Sequence, residues 1–256
     1  MISKKEIKYL ISLKQKKYRI LNQKIVIEGS KLILDALKHN QNIEKIVYSN
    51  KNNDFNKIRI NARKNNIAME LCTEKDAQRI SDTKNSQQIF ALIKFSEPKS
   101  VNKKSIIKNN IIVIDGISDP GNLGTILRTS SWFGFYDIML SNDSVELFNP
   151  KTVRAGMGSH FHMQNIYKDS IDNIIKALQN NNYEILTTDL KGKNIKKYKL
   201  KNKPWALILG NEANGVSKKS IDSANTIINI DGKKTMESLN VAEAASIIMH
   251  QLYQGN

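Results

Sequence analysis

Trp205-Ala206-Leu207-Ile208-Leu209 is an unbroken apolar run that stops at Gly210-Asn211-Glu212. Five apolar residues in a row are too few for a buried helix and show no alternation, so they read as a strand covered on both faces. Segments of the same kind recur at Ile111 to Ile114, Asp137 to Leu140, Tyr183 to Leu186 and Thr226 to Ile230, separated by helical stretches. Strands of this type alternating with helices predict an α/β fold with a parallel sheet. The carboxyl ends of such strands carry the chemistry. Attention therefore falls on the turn from Gly210 to Glu212, and on the turn that follows the first strand where it ends at Asp115-Gly116.

The chain before residue 98 reads differently. A lysine-rich helical lead over residues 1–24 places Ile7, Leu10, Ile11 and Leu13 at helical spacing. A short strand, Ile25 to Ile27, and a Gly29-Ser30 turn open a helix from Lys31 to Lys38 that buries Leu32, Ile33, Ala36 and Leu37. Further strands are expected at 43–48, 68–71 and 89–95, with helices near 56–65 and 74–80. The alternation predicts a small α/β sandwich over residues 1–97. Residues 98–110 are polar, rich in Lys and Asn, and read as a linker. The second domain occupies 111–256.

Composition excludes several classes. None of the apolar runs among the 256 residues approaches the ~20 needed to cross a bilayer, so no membrane partner is expected. Cys72 is alone, which rules out an internal disulfide and points to a reducing cytoplasm. His39, His160, His162 and His250 show no metal-ligand spacing to carboxylates, and no metal is expected. The net charge is +16, unevenly spread: residues 1–110 hold 24 Lys and Arg against 10 Asp and Glu, residues 111–256 hold 16 against 14. A +14 half beside a +2 half reads as an RNA footprint on the first domain. Compositional drift toward Lys, Asn and Ile is the alternative, although drift should affect both halves.

Three segments in the second half carry the chemistry. Ser118-Asp-Pro-Gly121 feeds Asn122 and a helix bearing Arg128 on its second turn. Asn122 can cap that helix, and its N-terminus suits an RNA phosphate; an ordinary cap with Arg128 in a surface ion pair is the plainer reading. Gly210 permits close approach of backbone to a ligand, and Glu212 offers acceptors for a sugar hydroxyl or for Arg128; a simple turn after a core strand is the alternative. Glu237-Ser238-Leu239-Asn240-Val241 leads into a strongly helical run, with Ser238 or Asn240 as cap and exposed amides that could hold a cofactor.

In order and spacing, these segments resemble the signature motifs of the SpoU/TrmH branch of the SPOUT superfamily, the S-adenosylmethionine-dependent RNA 2′-O-ribose methyltransferases. The resemblance implies a SPOUT domain with a C-terminal trefoil knot, preceded by an L30e-like substrate-binding domain. It implies a catalytic set of Asn122, Arg128, Glu212, Ser238 and Asn240, and a cofactor pocket of Leu209, Gly210, Ile230, Leu239 and Asn240. Phe148-Asn-Pro-Lys151 and Val153 to Gly158 resemble the stretch between the first two motifs, with Arg154 facing RNA; the resemblance makes Arg128 RNA-binding as well, and a solvated helix charge is the alternative for Arg154. Where the family commonly reads Ile-Pro-Met, this chain reads Ile230-Asp231-Gly232. The family's arginine is proposed as a base, but a guanidinium is almost never neutral, and holding a phosphate or the developing alkoxide is the alternative. A homodimer through the second domain and 23S ribosomal RNA as substrate are further implications. Transfer RNA is the alternative substrate, and a non-catalytic RNA-binding assembly factor the alternative class.

Overall fold

The computed structural model describes residues 1–49, 54–101, 109–233 and 238–254. Its contacts divide the chain into two compact units, Met1–Glu97 with Phe148–Phe161, and Pro98–Leu147 with His162–Asn256.

The first unit is a mixed four-stranded sheet with helices on both faces. Its elements are α1 (Lys4–Ser12), α2 (Lys16–Asn22), β1 (Lys24–Glu28), α3 (Ser30–Lys38), β2 (Ile43–Tyr48), α4 (Phe55–Lys64), β3 (Ala68–Leu71), α5 (Glu74–Ile80) and β4 (Ile89–Lys94). The helical lead is thus two helices, the second ended by Gln23 in the left-handed region at φ 51°. Strand order is β1-β4-β2-β3, with only β2 and β3 parallel. Alternation sorts the core: Ile25, Ile27, Ile46, Ile89, Ala91 and Ile93 join the α3 and α4 side, while Val47, Phe90 and Leu92 join Ile7, Leu10, Ala77 and Ile80 of α1 and α5. His39 is not isolated from carboxylates, because the turn of α3 brings its Nδ1 to 3.4 Å from Asp35.

The second unit opens with β5 (Ile111–Ile114), α6 (Pro120–Trp132) and β6 (Asp137–Ser141). The chain then contributes α7 (Pro150–Gly156) to the first unit. It returns with β7 (Asn165–Asp169), α8 (Ile171–Asn180), β8 (Glu184–Asn194), β9 (Trp205–Leu209), α9 (Lys218–Ser223), β10 (Thr226–Asn229) and α10 (Val241–Gln254). The six strands are all parallel, in the order β10-β8-β9-β5-β6-β7. Every residue of β5 and β9 is buried. Ile111, Val113, Ala206 and Ile208 meet α8, while α6 and α10 pack on each other.

One expectation changes. Residues 98–101 are not free linker: Lys99 donates to Ile166 O at 3.1 Å, accepts from Lys168 N at 2.9 Å, and Val101 N reaches Asp169. They lengthen the edge beyond β7, whose half-polar sequence hid that strand. The rest of the linker, 102–108, lies outside the described residues. No helix among the described residues is long and apolar enough to cross a membrane.

Candidate active site

Strands β5 and β9 are hydrogen-bonded neighbours, and the chain leaves their carboxyl ends in different directions. That junction is a topological switch point of the sheet. Asp115 extends the pairing by donating its N–H to Leu209 O at 2.8 Å. Its carboxylate, 4% exposed, accepts from Ser217 N at 3.1 Å and Ser220 Oγ at 2.8 Å, tying the start of α9 to the end of β5. Gly116 then turns at φ +74°, its N–H donating to Ser141 Oγ at 2.9 Å.

The helix that follows begins earlier than the sequence reading placed it. Asp119, not Asn122, is the cap: its carboxylate accepts from Asn122 N at 2.9 Å, and Pro120 fills the first helical position, where no N–H is needed. Arg128 consequently lies on the third turn. The Asn122 side chain is released for other work.

That work is visible at Glu212. Its carboxylate accepts from Ser118 N at 3.2 Å, Ser118 Oγ at 3.0 Å, Asp119 N at 3.1 Å and Asn122 Nδ2 at 2.9 Å. Four donors occupy roughly all the acceptor positions of a carboxylate. Burial pushes the Glu212 carboxyl up, but the donors from Asn122, Ser118 and Asp119 outweigh it and hold the group below its ordinary value. The anion at the start of α6 is therefore the chain's own, where an RNA phosphate had been expected. Glu212 is a tie between two loops rather than a free acceptor.

Asn122 passes the connection on: its Oδ1 accepts from Asn240 Nδ2 at 3.1 Å. The other side-chain atom of Asn240, Oδ1, accepts from Ala242 N at 2.8 Å and caps α10. Ser238 does not cap; it and Leu239 are exposed, and among the described residues they have no hydrogen-bonding partner. Open peptide groups beside a half-exposed leucine suit backbone recognition of a heterocyclic ligand with an apolar face. Ile230 lies half-buried just past β10, and Glu237 falls outside the described residues.

Gly210 and Asn211 shape the second loop. A Cβ on Gly210 would lie 2.3 Å from the backbone of Gly215 and Val216, so the close approach that requires glycine is within the loop itself. Leu209 is 1% exposed and serves the core. Asn211 donates to Gly116 O at 2.7 Å, and its Oδ1 accepts from Ala213 N at 2.9 Å and Asn214 N at 3.1 Å. Asp115, Ser118, Asp119 and Asn211 were not singled out as site residues. Only Asp119-Pro120 carried a local signal, the acidic cap followed by proline.

The two arginines differ. Arg128 is exposed, and among the described residues no carboxylate lies within ion-pair reach of it. Arg154, on α7 in the first unit, stands 3.7 Å from Asp82, which also holds Lys14 at 3.0 Å.

Residues 109–250 match the SpoU rRNA Methylase family, and residues 4–91 match the MRM3-like substrate binding domain. The 23S rRNA (guanosine(2553)-2′-O)-methyltransferase RlmP of Bacillus subtilis is 27% identical over 93% of this chain and 91% of its own. An uncharacterized tRNA/rRNA methyltransferase of Borreliella burgdorferi is 30% identical over 86% of this chain and 91% of its own. Among solved structures, an AdoMet-bound rRNA methyltransferase from Sinorhizobium meliloti superposes with a TM-score of 0.85 at 26% identity, over 99% of this chain and 96% of that one.

Proposed function

Because this chain belongs to the SpoU rRNA methylase family, we propose that it methylates a ribose 2′-hydroxyl of ribosomal RNA with S-adenosylmethionine. The observation that carries the reading is the Glu212–Asn122–Asn240 chain of hydrogen bonds. It fastens three strand-end segments, far apart in sequence, at the start of the helix that carries Arg128, which has no carboxylate partner among the described residues.

When bound, the cofactor supplies a methyl carbon already activated by its sulfonium, which leaves positioning to the protein. Leu209, Gly210, Ile230, Leu239 and Asn240 hold it, chiefly through backbone groups. Arg128 takes the phosphate beside the target nucleotide and stabilises the alkoxide as the 2′-proton passes to solvent water. A guanidinium is almost never neutral in a protein, so the stabilising role is preferred here to that of a base. Asn122 and Glu212 keep the loops in register, and the exposed Ser238 hydroxyl completes the catalytic set.

The named substrate of the Bacillus relative favours 23S ribosomal RNA. The remaining features of the proposal are a cytoplasmic enzyme without a resident metal, a first unit that binds RNA through its positive charge, with Arg154 at its edge, and a trefoil-knotted second unit. The proposal also includes a homodimer. Trp132 is 83% exposed at the end of α6, Ile247 and Tyr253 are exposed on α10, and the Phe133 ring lies tilted against Tyr253 with centroids 5.5 Å apart. Such an apolar patch is suited to a twofold contact. Light scattering should give twice the chain mass, falling to one for Trp132→Glu; a monomer with full activity removes the dimer from the reading.

Mass spectrometry of RNA from cells with and without the gene tests the activity. One 2′-O-methylated nucleotide of 23S ribosomal RNA should be lost and should return with the purified chain and S-adenosylmethionine. Loss in transfer RNA alone would move the substrate. No loss in either would sink the enzyme.

A further inference from the structure

Between Leu190 and Pro204 the chain carries seven lysines and no acid. This crossover joins the end of β8 to the start of its parallel neighbour β9. It must therefore travel from the carboxyl edge of the sheet to the amino edge, a passage usually made by a helix. Lys191 and Lys193 lie on the last residues of β8, and between Asn194 and Pro204 the only regular element is a 3-10 turn, Ile195–Lys197.

The segment is nevertheless pinned. Ile195 is buried, Asn194 caps the turn by accepting from Lys196 N at 2.8 Å, and Tyr198 N donates to Ile195 O at 3.1 Å. Lys201 reaches 2.9 Å from the carboxylate of Glu184, which has no solvent exposure. That one lysine is committed to an anchor. Lys191, Lys193, Lys196, Lys197 and Lys199 are exposed, and among the described residues none has an ion-pair partner.

The arrangement is segregated rather than diffuse. Without these seven lysines, residues 111–256 carry nine basic residues against fourteen acidic ones. The near-neutral total of residues 111–256 thus conceals a basic strip in an otherwise acidic stretch, which uniform drift toward lysine would not produce. Like charges crowded on a fixed backbone repel each other unless a polyanion relieves them. The strip starts where Lys193 pairs with Ile228 of β10, at the same sheet edge as Gly210 and Asp115.

We propose that this crossover is an RNA-backbone contact of the catalytic unit itself, gripping phosphates outside the target nucleotide. It rests on the RNA-methylating reading above. It also departs from the charge split in the sequence, which placed most of the RNA affinity on the first part of the chain.

The test uses the full chain with Lys196, Lys197 and Lys199 changed to Gln, and a control with Lys176, Lys218 and Lys219, on α8 and α9, changed to Gln. The probe is a labelled RNA stem-loop titrated across a salt series, with cofactor affinity measured in parallel as a check on folding. Removing one lysine that neutralises a phosphate lowers the slope of log affinity against log salt by about 0.7 to 0.9. The slope of the crossover variant should fall by about 2 to 3, and that of the control by less than half as much. Equal slopes for the two variants would overturn the proposal, as would a wild-type chain that takes up cofactor without binding the stem-loop, or one that prefers anionic vesicles to RNA. Unchanged slope differences with no methyl transfer in any of the three proteins would count against the activity and not against the surface.

Discussion

Arg128 stands exposed on the third turn of α6 without a carboxylate partner among the described residues, so its removal should disturb little besides RNA. Arg128→Ala is expected to abolish methyl transfer in single-turnover assays while cofactor affinity stays nearly unchanged. Arg128→Lys keeps the charge but loses the planar fork, so a large loss there would show that geometry is what matters. Near wild-type rates in Arg128→Ala would remove it from the site. Glu212 makes the opposite prediction. Its carboxyl is held below the ordinary value, so its contribution to stability is full above about pH 4.5 and is lost as the pH falls through the lowered value. Glu212→Gln should cost about 1 kcal/mol at neutral pH, a hydrogen-bond figure already reduced for an exposed group. Thermal unfolding of both proteins should show that difference shrink toward zero on acidification; a constant difference would mean the charge is irrelevant. At this scale the sequence displayed the residue types but not their pairing. Asn122 looked like a cap because Asp119-Pro120 was passed over, and only contacts across about ninety residues reveal that Glu212 is already saturated.

Elements were legible in proportion to how fully they are buried. The runs Ile111–Ile114 and Trp205–Leu209 match β5 and β9 residue for residue, because a strand covered on both faces leaves no room for polar side chains. Strand β7 escaped notice: at the sheet edge only Tyr167 of Asn165–Asp169 is buried. The loop after β9 was read as glycine meeting a ligand, yet Gly210 meets Gly215 and Val216. Gly210→Ala should therefore lower stability by about 1 to 3 kcal/mol, the usual range for overpacking, and weaken cofactor binding only as a consequence. Calorimetric unfolding followed by cofactor titration distinguishes the two. A variant of unaltered stability that fails to bind cofactor would restore the ligand-approach reading.

The division of the chain is the feature least visible in sequence, since residues 148–161 lie inside the stretch assigned to the second domain but pack with the first. Val153 is 3% exposed in the core that includes Ile27, Leu32 and Ile33, with Phe148 and Phe161 packed against it, and Phe148 stacks on Phe95 with ring centroids 4.1 Å apart. The local signal was only an Asn-Pro helix start, the same device that opens α6. Nothing in it says which core the helix joins. Cutting the chain at residue 98 would strip these side chains of their partners and expose them to water, at about 1.5 to 3 kcal/mol for each one fully uncovered. Residues 98–256 made alone should thus bind a hydrophobic dye and unfold at lower temperature than the same unit in the full chain. Replacing Phe148, Val153 and Phe161 together by Ser should suppress the dye signal in the fragment while destabilising the intact protein. A fragment that melts like the full chain without binding dye would mean that this segment packs equally well with the second unit.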